Sequence, residues 1–211
     1  KGSTYPDING SIGILFEQAT SRGVQQQSLN GLVTFEFGIQ NHVLTSLSTV
    51  EGAWKNKKAL KNYRQEFYKQ SVKLAKKEKF KGYLIHADND KHRLNTFLQT
   101  LNQHQINVYP LRNDFRHNGK TFNKELSYYL PLEQPQFRVI QALFNQQTSF
   151  QDNTFYDVSG WTLPLAMNIE FHQVERTRGL KVAEKAWIKP EEATTLLDNK
   201  AYAYVFEWHH S

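Results

Sequence analysis

A glutamate at the end of a short apolar run is the residue in this sequence best suited to chemistry. Glu17 directly follows Ile14, Leu15 and Phe16, and the residues after it are small and polar. The pattern predicts a turn, then a buried strand over residues 11–17, then a flexible loop. Carboxylates seldom end a buried strand unless a neighbouring cleft needs them. Since a strand end is a rigid place from which to present a reactive group, Glu17 is the leading candidate for a catalytic acid or base.

The residues around Glu17 resemble the active-site strand of the zinc carboxypeptidases, the carboxypeptidase A-like metallopeptidases. In that family a glutamate ends a strand of the form apolar-x-apolar-apolar-Glu, and a tyrosine precedes it on a loop. The resemblance is closest to a bacterial subgroup, and the matching positions are Tyr5, Gly10, Gly13, Glu17, Ser21, Arg22 and Gly23. It covers the segment from Thr4 to Gly23 and is more specific than a strand that merely ends in glutamate.

The resemblance implies a peptidase mechanism. In the family, a zinc ion held by two histidines and a glutamate polarises the scissile carbonyl and acidifies a bound water. Glu17 would take the proton of that water and deliver it to the departing amine. Tyr5 would contact the substrate as the family's mobile tyrosine does, while Arg22 would be a structural partner. A peptide substrate and a periplasmic or extracellular location are implied in the same way.

The zinc ligands of the family lie upstream of the glutamate, in a His-x-x-Glu motif and a later histidine. Sixteen residues precede Glu17 here, and none of them is histidine. We therefore expect the sequence to start inside a larger protein, with zinc as the cofactor of that full-length enzyme. We expect no catalytic zinc on this chain alone, and no hydrolysis by it.

A second His-x-x-Glu pattern occurs far downstream, at His172 and Glu175, with His209 or His210 as a conceivable third ligand. The competing interpretation is chance on a polar strand, because the motif is short and the chain has eight histidines. We prefer chance, since the motif follows the candidate strand instead of preceding it. The last three residues could equally derive from an expression tag.

Composition sets limits on the other classes of function. The chain has 211 residues, 39% of them hydrophobic, which is enough for one large or two small domains with a real core. No run of eighteen apolar residues occurs, so the sequence predicts no membrane partner. The chain has no cysteine, which excludes disulfides, cysteine nucleophiles and thiolate metal sites.

A basic stripe runs from Lys57 to Lys81, with ten Lys or Arg and two Glu, a local balance of +8. Such a stripe can bind nucleic acid or another anionic surface. The alternative is the solvated face of a helix. We prefer the solvated face and expect no nucleic-acid partner, because Tyr63, Phe67 and Leu74 recur at helical spacing, which is typical of a core face.

The overall pattern predicts an α/β fold with parallel-type sheet segments and flanking helices. Residues 1–79 are expected to be the C-terminal part of a carboxypeptidase catalytic domain, itself α/β. After a Gln/Ser loop over residues 25–30, apolar residues at helical spacing predict a helix over residues 38–54. A second helix follows through Leu60 and Leu74, and Gly52 or Asn56 separates the two or kinks them.

Residues 80–211 are expected to form a second, partial α/β domain. A strand over residues 82–87, a helix with Leu94 and Leu101, and a strand over residues 106–109 predict a β-α-β unit with a parallel pair. The later elements are predicted as a strand at 126–130, a helix after Pro135, a helix at 156–167 with Pro164 as a bend or boundary, and a strand at 201–208.

This second region resembles the amidotransferase-like domain appended to the catalytic domain in the same bacterial subgroup, on residues 129–138 and 155–164. Such folds use a cysteine nucleophile when they are catalytic, and this chain has none. A ligand could still bind where strand ends bring together His86, Asp88, Asn89 and Asp90. We prefer turn and capping roles for these four residues.

The leading hypothesis is therefore part of a zinc metallocarboxypeptidase with Glu17 as the general base and acid. The first alternative is a non-catalytic module in which residues 80–211 bind substrate or drive oligomerisation. Nucleic-acid binding through the basic stripe is the remaining alternative. Because the chain looks cut at both ends, we also expect exposed apolar surface and self-association.

Overall fold

The computed structural model describes residues 4–18, 20–87, 90–146, 162–189 and 201–203. The chain divides into two compact units, Lys1–Lys69 and Gln70–Ser211. The boundary falls within a helix, and each unit is described by itself. The assignment of residues 1–79 to a catalytic domain and of residues 80–211 to an amidotransferase-like domain stays a prediction.

The first unit begins with a short helix and an extended segment. Helix α1 (Thr4–Ile8) leads through a turn into residues 12–18, which belong to no helix or strand. The predicted buried strand over residues 11–17 is therefore wrong: Ile12, Ile14, Leu15 and Phe16 are 46–66% exposed. A strand requires a partner for its backbone groups, and no described strand pairs with this segment.

A β-hairpin follows where the sequence suggested only a loop. Strands β1 (Gln25–Ser28) and β2 (Gly31–Thr34) pair in antiparallel register. Their turn is closed by the Ser28 hydroxyl, which donates to the Gly31 carbonyl at 2.7 Å. The run of glutamines hid the hairpin, because it lacks the apolar alternation that signals a strand.

Two long helices follow and confirm the helical predictions, and the second of them runs across the unit boundary. Helix α2 (Phe35–Lys55) is capped by Thr34, whose hydroxyl accepts from the Phe37 amide at 3.2 Å. Asn56 ends it, and helix α3 (Lys57–Lys77) begins at the next residue. The apolar face of α2 is real but is not part of a core: Ile39, Val43, Leu47, Val50 and Trp54 are 47–70% exposed. Periodicity identifies an apolar face without saying what covers it.

The second unit is built on a four-stranded sheet in which every neighbouring pair is antiparallel. Its strands are β3 (Gly82–His86), β4 (Tyr109–Pro110), β7 (Ser127–Pro131) and β8 (Glu170–Val174), in the order β4-β7-β3-β8. The predicted parallel pair is wrong, because β7 lies between β3 and β4 and pairs with both. Helix α4 (Lys91–Gln103) connects β3 to β4, and these two strands run in the same direction. A β-α-β unit is therefore present, but β7 lies between its two strands.

The core of the second unit lies on both faces of this sheet. On one face, Tyr83 of β3 stacks on Phe144 of helix α5 (Phe137–Phe144) at 4.4 Å between ring centroids. The apolar stripe of α4 is buried as predicted, through Leu94, Phe97, Leu98 and Leu101. The other face is covered by a hairpin of β5 (Phe115–His117) and β6 (Lys120–Phe122). The buried cluster between the sheet and this hairpin comprises Leu84, Leu111, Phe115, Phe122, Tyr129 and Val174.

Some of the remaining predicted elements are confirmed and others are not. The strands at 82–87 and 126–130 are confirmed by β3 and β7, whereas the strand at 106–109 is reduced to β4. Pro135 precedes α5 in a turn, as expected for a helix start. Helix α6 (Leu163–Ala166) carries Pro164 near its start; most of the predicted helix at 156–167 and of the strand at 201–208 lies outside the described residues. Among the described helices, none is both long and apolar enough to cross a membrane.

Candidate functional site

Glu17 lies near the end of the extended segment with its side chain exposed. Ile12, Ile14 and Phe16 line a cavity of about 910 Å³ together with α2 and α3 residues such as Leu44 and Leu60. Leu15 and Glu17 are exposed and do not line this cavity, so a substrate could reach the carboxylate from solvent.

The turn before the segment is fixed to α3. The Asp7 carboxylate accepts a hydrogen bond from the Gly13 amide at 2.8 Å, and the Tyr68 hydroxyl donates to the Asn9 carbonyl at 2.9 Å. Gly10 has a positive φ of 71°, and a Cβ there would lie 2.9 Å from a ring carbon of Phe67. This glycine lets the chain turn against α3 at close range, which sets where the extended segment starts.

The residues after Glu17 are also held, although a flexible loop was expected. The Asn41 amide of α2 donates to the side-chain oxygen of Gln18 at 3.0 Å. Ser21 is buried, and its hydroxyl donates to the Gly23 carbonyl. Arg22 has a φ of 45°, and its amide donates to the Thr20 hydroxyl at 3.2 Å. Glu17 is thus bracketed by hydrogen-bonded structure on both sides.

A smaller cavity lies next to the hydrogen-bonded residues that follow Glu17. It has a volume of about 300 Å³, and its lining residues are Gln18, Thr20, Ser21, Thr34, Phe35, Gly38, Ile39, His42 and Val43. Neither this cavity nor the larger one is lined by Glu17 or Tyr5.

Tyr5, the predicted substrate-contacting residue, lies on α1, and its side chain is 47% exposed. Its carbonyl accepts a hydrogen bond from the Asn9 side chain at 3.0 Å, which belongs to the turn described above. Its predicted role stays a prediction. The exposed Arg22 takes part in the turn after Glu17 through its backbone, in keeping with a structural role.

The described residues do not fit a zinc site. They contain no group of three or more His, Asp or Glu side chains placed to hold a metal ion. The downstream His-x-x-Glu pattern begins on β8, where residues three apart point to opposite faces. His172 instead binds Glu170, with 2.6 Å between Nε2 and Oε1. His209 and His210 lie outside the described residues.

Glu170 and its partners form a polar cluster that sequence reasoning missed. Its carboxylate contacts Lys120 of β6 as well as His172. Partial burial acts to raise the pKa of Glu170, but the hydrogen bonds and charges of Lys120 and His172 outweigh it, so the pKa lies below its ordinary value. His117 Nε2 lies 2.9 Å from the Gln173 carbonyl. These contacts fasten the β5–β6 hairpin to β8.

The predicted strand-end cluster takes structural roles where it is described. His86 is buried, and its Nδ1 lies 2.9 Å from the Ser127 hydroxyl and 3.1 Å from the Leu126 carbonyl. Asp90 caps α4 by accepting from the Arg93 amide at 2.8 Å. Asp88 and Asn89 lie outside the described residues. Capping and strand pairing therefore account for His86 and Asp90.

The basic stripe lies mainly along α3, with several of its charges engaged locally. Lys76 pairs with Glu133 at 3.0 Å, and the Lys57 ammonium lies 4.1 Å from the centroid of the Trp54 ring. Such contacts are typical of a solvated helix face. The absence of a nucleic-acid partner stays a prediction.

No protein-family model, curated protein or solved structure matches this chain. Function is therefore inferred from its own residues and their geometry, of which Glu17 and the two anchors beside it are the most informative part.

Proposed function

We propose that this chain is part of a zinc-dependent metallocarboxypeptidase, in which Glu17 is the general base and general acid. The observation that carries the proposal is an exposed carboxylate near the end of an extended segment that is anchored at both ends. The residue types around it, described above, resemble the active-site strand of that family. Export to the periplasm or beyond belongs to the same proposal.

The placement of Glu17 suits proton transfer. Its side chain is exposed, so a water and a scissile peptide bond could both approach it. A carboxylate in that position can accept a proton from an attacking water and return it to the leaving amine. In this proposal the zinc ligands belong to a longer protein of which the chain is part, and we expect the 211-residue chain alone to be inactive.

The test is Glu17→Gln in the longer protein, assayed on peptides with a free C-terminal carboxylate. We expect kcat to fall by roughly 10²–10⁴-fold, the usual contribution of a general acid–base group. Glu36→Gln is the matched control, because Glu36 is also an exposed carboxylate and lies in the first turn of α2. Metal analysis should find the same zinc content in all three proteins. Hydrolysis retained by Glu17→Gln would remove Glu17 from the mechanism.

A non-catalytic association module is the second candidate. From the sequence it is expected in residues 80–211, whereas the observation that favours association is the exposed apolar face of α2. Five large apolar side chains on one helical face are uncovered in the described structure, as the fold showed. Exposed patches of this kind mark association surfaces in many proteins.

A further inference from the structure

We infer that Asn41 is a positioning residue that fixes the catalytic carboxylate through Gln18, an inference that rests on the proposed function. Asn41 does not face the reacting atoms. It holds the residue immediately after Glu17, and so restricts where the Glu17 carboxylate can lie.

The tether is the hydrogen bond between the side chains of Asn41 and Gln18. Asn41 Nδ2 donates to Gln18 Oε1 at 3.0 Å, and the two residues are 23 positions apart in the sequence. Both side chains are half-buried, so the bond is less exposed to competition from water than a surface contact. The Asn41 carbonyl also accepts a hydrogen bond from the Thr45 hydroxyl at 2.9 Å.

Gly38 lies beside Gln18, at a distance where even an added Cβ would make only an ordinary van der Waals contact. It lies one helical turn before Asn41, and a Cβ built on it would lie 4.0 Å from Cγ of Gln18. The stem of Gln18 therefore passes over a helix position without a side chain before it reaches the Asn41 amide.

The tether matters because residues 12–18 have no strand partner among the described residues. A paired strand holds its side chains through many backbone hydrogen bonds, whereas this segment depends on the turn before it and on Gln18 after it. Misplacing a catalytic group by about 1 Å can cost roughly 10²-fold in rate. Loss of the tether should therefore slow the chemical step more than it weakens substrate binding.

The first test is kinetic and uses the longer protein. Asn41→Ala should lower kcat by about 10-fold or more, with KM changed by less than about 3-fold. Gln40→Ala is the matched control, because Gln40 is an amide on the same helix that bonds only to Glu36 in the contacts described. Asn41→Asp should recover most of kcat, because the Gln18 amide can turn over and donate to the new carboxylate.

The second test uses the 211-residue chain itself and needs no activity. Backbone ¹⁵N order parameters at residues 17 and 18 should fall in Asn41→Ala and in Gln18→Ala, and stay unchanged in Gln40→Ala. The double variant of Gln18 and Asn41 should be no more mobile than either single variant, because both remove one bond. Circular dichroism of each variant checks that the helices persist.

The outcomes separate the two proposals. Unchanged order parameters in Asn41→Ala, or an equal loss of kcat in Gln40→Ala, would overturn the positioning role and leave the proposed function standing. Hydrolysis retained by Glu17→Gln would overturn both. A selective loss of kcat in Asn41→Ala, recovered by Asn41→Asp and accompanied by greater mobility at residue 17, supports the inference.

Discussion

At the scale of single residues, the role of a side chain depends more on the hydrogen bonds that position it than on its residue type. Glu17 was identified from its neighbours in sequence. Gln18 and Asn41 were not, because a bond between residues 23 positions apart leaves no local pattern. The Glu170 cluster was missed for the same reason, since Lys120 reaches it from another strand. Sequence reasoning finds candidate chemistry, whereas the partners that orient it come from tertiary structure.

Glu170 should make the stability of the second unit depend on acidic pH. Its pKa is lowered in the folded state, so its contribution is present above the ordinary carboxyl value of 4.5 and is lost as pH falls through the lower folded pKa. The free energy of unfolding of the native chain should therefore approach that of Glu170→Gln as the pH falls below 4.5. The difference at neutral pH should stay below about 1 kcal/mol, because the pair is partly exposed.

Urea denaturation between neutral and acidic pH measures this difference, with Glu175→Gln as the control. Glu175 is an exposed carboxylate just beyond the same strand. A difference between native and Glu170→Gln protein that grows on acidification would contradict the assigned sign.

At the scale of elements, local patterns predicted the long helices and two of the sheet strands, but neither the strand pairing nor the hairpin near the start of the chain. The apolar spacing of Leu94, Phe97, Leu98 and Leu101 identified α4, and the short run at Gly82–His86 identified β3. The position of β7 between β3 and β4 was not predictable, because strand order depends on contacts between distant segments. The segment at 12–18 has the apolar run of a buried strand but no strand partner among the described residues.

The β5–β6 hairpin should be essential to the second unit. Phe122 is fully buried, and its ring centroid lies 5.2 Å from that of His172 and 5.8 Å from that of His86. Phe122→Ala should lower the free energy of unfolding by about 3–5 kcal/mol, the usual cost of removing a buried phenylalanine. Thr121→Ala is the matched control, because Thr121 is exposed on the same strand. A shift in the urea midpoint no larger than that of the control would mean that the hairpin is not part of the cooperative core.

At the scale of the whole molecule, the balance of charge and apolar surface favours self-association over a monomeric state. The net charge of +6 opposes self-association through repulsion, but that repulsion is screened within about 10 Å at 0.1 M salt. Burial of apolar surface contributes about 25 cal/mol per Å² and is not weakened by salt. Apolar attraction through the uncovered face of α2 should therefore outweigh charge repulsion at moderate ionic strength. This face is formed by Ile39, Val43, Leu47, Val50 and Trp54.

We accordingly expect the 211-residue chain to self-associate through α2, and to do so more strongly as salt is raised. Leu47→Glu combined with Val50→Glu places two charges in the middle of the face and should shift sedimentation-velocity profiles toward the monomer. Gln40→Glu adds a charge to the same helix outside the face and should leave association unchanged. A native chain that sediments as a monodisperse monomer and melts cooperatively would mean that this face is tolerated in water. In that case the association module loses its support, while the proposed role of Glu17 is unaffected.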